Sequence, residues 1–290
     1  MSGTAIHVGV WGGEIGGDNL RSILAAAEDI GYSHLAIPLR KMDRRDVSAI
    51  ARVFASGQIK PINTSGLPPD GDLTSPDPTV RQKGRAHLEN SIRMARDMGS
   101  TQINGVLYGR IAKADAPIRR DTFRASAETL AEVAGFGAAC GVRLAIEIVN
   151  RYESNAINTV DQAIEYLRLA GSPNIGLHLD TFHMSIEETD VRAAIHKALP
   201  SLFYFELCQS HRGGLLEGAL DLRLALGQVL DAGYDGLIGV EAFARSKLAE
   251  DHANALAIWR DVFTDSHKLA GQALALVRET WADRGALDRR

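Results

Sequence analysis

Four carboxylates stand at or near the ends of four successive short apolar runs. Glu147 closes Leu144-Ala145-Ile146, Asp180 closes Leu177-His178-Leu179, Glu206 lies between Phe205 and Leu207, and Glu241 follows Gly239-Val240. An acidic side chain in an apolar strand is costly to bury unless it is paired or coordinated. Four that converge would repel one another strongly without a cation between them. A divalent ion with oxygen ligands resolves the repulsion, and two carboxylates flanking a substrate can act as general base and acid. For any single one of the four, an outward salt bridge toward a neighbouring helix is the alternative reading, the less favoured of the two. For all four together it fits poorly, because strands buried on both faces have no solvated side.

The elements that must hold these groups are parallel strands. The β-rich runs are His7–Trp11, His34–Ile37, Gln58–Asn63, Gln102–Leu107, Arg143–Ile148, Ile175–Asp180, Leu202–Leu207 and Leu237–Glu241, most of them too apolar for half-exposed strands. Helical patterns separate them. Asp77-Pro78 reads as an N-cap with proline at the first helical position, and Gly99 as the stop; Asp121 opens another helix that ends near Gly141. Thr159 with Gln162 is a capping box, with Gly171 as terminator. Eight strand–helix units favour closure into one (β/α)8 barrel, a TIM barrel occupying residues 1–290 as a single domain with a C-terminal helical extension after Trp259. In that architecture catalytic groups sit at the C-terminal ends of strands, where the four carboxylates are.

The bulk properties exclude other classes. The 290 residues are 45% apolar and 23% charged with a net charge of -4, and no dense Lys/Arg stripe marks a nucleic-acid surface. No run of 18 apolar residues spans a membrane, and Met1 to Gly13 lacks the pattern of a signal peptide. Cys140 and Cys208 match no disulfide framework or metal-ligand spacing, so a reducing cytoplasm is expected. Trp11-Gly12-Gly13 is a loop and not a dinucleotide fingerprint.

The segment Glu147-Ile148-Val149-Asn150-Arg151-Tyr152-Glu153, with Leu179-Asp180-Thr181-Phe182-His183-Met184, closely resembles the D-tagatose/D-psicose (ketose) 3-epimerases of the xylose-isomerase-like barrel superfamily. Ser210-His211-Arg212-Gly213, Asp235-Gly236 and Val240-Glu241-Ala242-Phe243 carry the same likeness, which is strong from about Leu73 to Asp261 and weak before it. The resemblance implies that Glu147 and Glu241 bind the metal and form the acid/base pair, with Asp180 a third ligand. It implies that His183 binds the sugar near its carbonyl end, and that Arg212 and Glu153 hold the O1–O3 region. A divalent metal, Mn2+ or Mg2+ with Co2+ acceptable, a small carbohydrate substrate and a homo-oligomer (dimer or tetramer) follow as expectations.

The pattern departs from that family in two places. An ungapped alignment on Arg212 sets Glu206 where the family has a histidine ligand and Gln209 where it has a glutamate. The formal charge of the pair is unchanged, and an all-oxygen ligand set Glu147, Asp180, Glu206, Glu241 would favour Mg2+ or Mn2+. The second departure is Ile37-Pro38, where the family carries a glutamate. Aldose–ketose isomerisation and decarboxylation of a 3-oxo sugar acid, which use the same enediolate, therefore stay open beside 3-epimerisation. Removing a proton beside a ketone is too hard for a carboxylate in water; a cation on the carbonyl oxygen supplies the missing stabilisation. An abasic-site endonuclease would need more histidine ligands and a basic groove, and a non-catalytic barrel would bind no metal. Among the other polar residues, His178 reads as a hydrogen-bonded core histidine, His211 as a loop residue and Cys208 as a small buried hydrophobe. Lys41 to Arg45 reads as a solvated loop, and Trp11 and Tyr108 as walls of the sugar pocket or as ordinary packing.

Overall fold

In the computed structural model, which describes residues 3–12, 15, 17–39 and 42–287, eight parallel strands close in the order β1 to β8. They are β1 (Gly3–His7), β2 (His34–Pro38), β3 (Lys60–Thr64), β4 (Gln102–Gly105), β5 (Arg143–Glu147), β6 (Ile175–Asp180), β7 (Leu202–Leu207) and β8 (Leu237–Val240). The ring closes through β1 and β8, with Ala5 opposite Gly239 and Ile6 opposite Val240. Helices α1 (Gly17–Ile30), α2 (Arg44–Ala55), α3 (Pro78–Met98), α4 (Arg120–Ala139) and α5 (Val160–Ala170) fill the first crossovers. They are followed by α6 (Thr181–Glu187), α7 (Val191–Ala198), α8 (Leu222–Asp231), α9 (Glu250–Ala255) and α10 (Ser266–Leu287). The last of these is the expected helix after Trp259; it packs against α1 and α8 and completes the outer ring.

The caps behave as their residue types demand. Asp77 accepts from Thr79 N with Pro78 in the first turn, and Gly99 ends α3 with φ 89°. Thr159 and Gln162 form a reciprocal capping box at α5. Helix α4 starts one residue before the expected Asp121.

Three expectations are corrected. The first strand is Gly3–His7 and not His7–Trp11, because the His7 side chain accepts from Gly9 N and turns Val8–Val10 into a 3-10 helix. A buried apolar run of this kind has no periodicity to separate strand from helix. β3 likewise starts at Lys60, two residues after the expected Gln58. The basic segment after Leu39 is not all loop: Asp43 caps α2 in a box with Asp46, and Arg44 and Arg45 begin the helix, while Lys41 lies outside the described residues.

Register decides which residues face the barrel interior. Glu147 pairs with His178, and Asp180 with Glu206. Between β6 and β7 the pairing jumps from Leu177↔Leu202 to His178↔Tyr204, so Phe203 is passed over and Tyr204 and Glu206 share the face of His178 and Asp180. Glycine makes room for this arrangement: a Cβ on Gly239 would lie 2.3 Å from the Tyr204 hydroxyl.

Candidate metal and sugar site

The four carboxylates converge at the C-terminal mouth of the barrel. Asp180 ends β6 and also caps α6, its Oδ1 accepting from Phe182 N at 2.7 Å. Its other oxygen, Oδ2, is buried with no hydrogen-bond partner. Glu206 accepts from the Tyr204 hydroxyl (3.3 Å) at Oε1 and is bonded to His178 Nε2 (3.1 Å) at Oε2. The side chain therefore faces the interior, as the alignment on Arg212 required. His178 is the hydrogen-bonded core histidine expected, and its Nδ1, 3.8 Å from Glu147 Oε2, has no hydrogen-bond partner.

Three overlapping donor triads result, each with its ligand atoms within 4.8 Å of one another. They are Glu147–Asp180–His183, Glu147–His178–Glu206 and Asp180–Cys208–Glu241. Cys208 is buried as expected, and it also turns a sulfur toward the acidic cluster, which its spacing to Cys140 did not suggest. Orphaned buried oxygen and nitrogen atoms around a group of carboxylates fit a divalent cation, since each isolated charge is otherwise costly to bury.

Electrostatics carry the same strain. Burial would raise Glu147, but His178, His183 and Arg212 outweigh it and hold the carboxylate down at about 2. Burial lifts Asp180 to about 6 against the pull of His183 and Arg212. Burial beside Glu241 pushes Glu206 up to about 8. Burial opposes the charge on His178, yet Glu147 and Glu206 raise it to about 9. Asp180, Glu206 and His178 are thus held in their protonated forms to higher pH than in water, whereas Glu147 is held ionised.

Around this centre stand the residues that the sequence marked as candidates for substrate binding. His183 Nδ1 lies 3.1 Å from the backbone N of Asn150 and 2.8 Å from its Nδ2. A backbone N–H can only donate, so Nδ1 is the acceptor and the ring proton sits on Nε2. That nitrogen faces Glu147 Oε1 at 3.5 Å and Asp180 Oδ2 at 3.9 Å. With its proton on Nε2, His183 can donate a hydrogen bond toward the Glu147–Asp180 pair. Arg212 reaches Glu241 Oε2 through Nη2 and lies 4.0 Å from Glu153 Oε1 through Nη1. Its guanidinium is held between Phe182 (4.6 Å) and Phe243 (5.1 Å).

The two aromatic residues proposed from sequence differ from the rest. Tyr108 is fully buried beyond the end of β4, with its hydroxyl directed at the carbonyls of Glu147 (3.0 Å) and Ile157 (3.2 Å). Trp11 follows the 3-10 turn, partly buried against the core. Sequence reasoning missed His7, whose buried ring packs edge-on against Phe243 (5.4 Å) and whose pKa burial lowers. It also missed Phe182 and Phe243 as the faces that hold Arg212. His7 was hidden by the misplaced first strand, which made it a strand start instead of a strand end.

The xylose isomerase-like TIM barrel model matches residues 24–263. The chain belongs to that family. It is 34% identical to the L-ribulose 3-epimerase of Mesorhizobium japonicum over 96% of this chain and 93% of that protein. It is 32% identical to the ketose 3-epimerase of Arthrobacter globiformis over 94% of each. The solved D-allulose 3-epimerase of Methylomonas sp., in complex with D-allulose, superposes with a TM-score of 0.92 at 29% identity, covering 96% of this chain and 97% of that one.

Proposed function

We propose that this protein is a divalent-metal-dependent ketose 3-epimerase built on one barrel domain. The observation that carries the reading is the linking of Glu147, Asp180, Glu206 and Glu241 through three overlapping donor triads at the barrel mouth, with Asp180 Oδ2 buried and without a hydrogen-bond partner. Relatives named for L-ribulose and ketose 3-epimerisation support the substrate class. The proposed ligands are Glu147, Asp180, Glu206 and Glu241. Their hard oxygens favour Mn2+ or Mg2+, and the nearby imidazole of His178 and the Cys208 thiol keep Co2+ acceptable.

A divalent cation held there would supply the charge stabilisation that makes a proton beside a ketone removable. The residues do the rest. Glu147 and Glu241 end β5 and follow β8, three strands apart around the ring, so they flank a sugar lying across the mouth. One accepts the proton from C3 while the other returns one to the opposite face. His183 Nε2–H is aimed to donate to the sugar's carbonyl end, and Arg212 with Glu153 to fix the O1–O3 region. Trp11 and Tyr108 are proposed as apolar wall, Tyr108 with the further task of holding the Glu147 backbone. We also propose a homo-oligomer working in the cytoplasm; both cysteines are free thiols, and no helix among the described residues is long and apolar enough to cross a membrane.

The deciding experiment incubates the metal-loaded protein with L-ribulose, D-allulose and D-fructose in D2O. Deuterium at C3 together with the C3 epimer is expected. Exchange at C1 with aldose formation would instead mean isomerisation, and CO2 release from a 3-oxo sugar acid would mean decarboxylation.

A further inference from the structure

The loop from β7 to α8 carries Arg212, and its shape depends on one buried side chain. Gln209 is 1% exposed and uses its whole amide on the loop's backbone. Its Oε1 accepts from Ser210 N (2.8 Å) and Leu220 N (2.9 Å). Its Nε2 donates to Leu220 O (3.0 Å) and, more weakly, to Leu215 O (3.4 Å). One side chain thus ties residue 210 to residues 215 and 220 and closes the loop on itself. Ser210 adds a second tie, its Oγ accepting from Ala219 N at 3.1 Å.

Two independent features are shaped to this clamp. Gly218, with φ 144°, passes directly over the amide: a Cβ there would lie 2.3 Å from Gln209 Cδ and 2.5 Å from Oε1. Arg212, with φ 57°, sits in a left-handed conformation that a long side chain adopts only when its surroundings hold it there. Its N–H donates to the carbonyl of Gln209 at 2.7 Å, and its own carbonyl accepts from Phe243 N at 2.7 Å. The strained residue is therefore bracketed by Gln209 on one side and by the strand-eight end on the other.

We propose that Gln209 is a positioning residue for Arg212: its amide clamps the loop and so holds the guanidinium against Glu241 at the mouth of the barrel. The chemistry demands an amide, because two donors and two acceptors are used in a buried place. A carboxylate there would set a charge against the carbonyls of Leu215 and Leu220 and donate nothing. Residue 209 is where the resemblance to the ketose 3-epimerases leads one to expect a glutamate, which could accept from Ser210 N and Leu220 N but could not donate to Leu215 O or Leu220 O. The activity arm of the test rests on the ketose 3-epimerase reading; the structural arm does not.

In the metal-loaded enzyme, Gln209→Glu is expected to lower kcat/KM for the best ketose by about 10- to 100-fold, the range for a buried group left unpaired. KM is expected to rise roughly tenfold, whereas a smaller folded fraction would lower kcat and leave KM alone. Because Gln209 acts through Arg212, the double variant Gln209→Glu/Arg212→Ala should be no worse than Arg212→Ala. An unchanged KM, or additive losses in the double variant, would overturn the proposal. Hydrogen exchange gives the arm that needs no substrate: the amides of Ser210 and Leu220 should lose protection in Gln209→Ala. They should also lose it in Gly218→Ala, a change at an exposed backbone position that keeps the chain folded if Gln209 variants do not. Wild-type protection in both would overturn the clamp even if no ketose is turned over, and lost protection without any turnover would count against the epimerase reading alone.

Discussion

Strands β1–β4 and strands β5–β8 bound the same barrel interior with opposite chemistries. On the first half, register turns Ala5 and His7, Ala36 and Pro38, and Ile62 and Thr64 inward. Ala5, Ala36 and Ile62 pack with Tyr204 and Leu237 into one small apolar cluster inside the barrel. On the second half the corresponding positions are Glu147, His178, Asp180 and Glu206, with Glu241 following β8. The first half is a wall that turns apolar and amide side chains inward, the buried Gln102 and Asn104 of β4 included, but no carboxylate, whereas the second half carries the charges while lending Tyr204 and Leu237 to the apolar cluster. The contrast teaches how a closed sheet affords a site: the wall supplies stability that the charged half gives up.

Breaking the charged half should have the largest effect. Glu147→Gln and Glu241→Gln are each expected to cut C3 proton exchange by at least about a thousandfold, since an amide is neither base nor full ligand. Bound metal measured on the same samples separates lost proton transfer from lost ion, and exchange within tenfold of wild type in either variant would remove it from the acid/base pair. Next comes the ion itself. Glu206 is raised to about 8, so in metal-free protein the folded state holds a proton that the unfolded chain releases near its ordinary carboxylate value. Unfolding then costs less as pH rises between about 4.5 and 8, while metal binding requires the deprotonated form. The rise in Tm on adding Mn2+ should therefore be larger at pH 8 than at pH 5.5; an equal rise at both would show that Glu206 does not titrate with the ion.

A finer test replaces the unusual donor. Glu206→His should still bind metal but shift preference from Mg2+ and Mn2+ toward Co2+ and Zn2+, as read by competition, because imidazole suits softer ions. An unchanged order would place Glu206 outside the ligand set. The smallest effect belongs to the wall. Ile62→Val should cost about 0.5–1.5 kcal/mol in denaturant unfolding and leave kcat/KM within roughly twofold. A larger kinetic loss would mean that the two halves are coupled rather than divided.

Much of this division was legible in residue types. The eight apolar runs, the caps at Asp77, Thr159, Gly99 and Gly171, and the carboxylates at the ends of the last four strands are local signals. Local hydrogen-bonding and burial rules act on them directly, and they imply a closed barrel with its charge at one rim. What neighbours in sequence could not decide was which partner each charge would meet. The skip over Phe203 that turns Glu206 inward arises from how β7 lies against β6, and the pairing of Glu206 with His178 exists only across those strands. The 3-10 turn at Val8–Val10, the seat of Arg212 between Phe182 and Phe243, and the Gln209 clamp under Gly218 have the same origin. Period and capping are properties of a segment, whereas register and burial are set when distant segments compete for the same interior space, and that competition is settled only in the folded barrel.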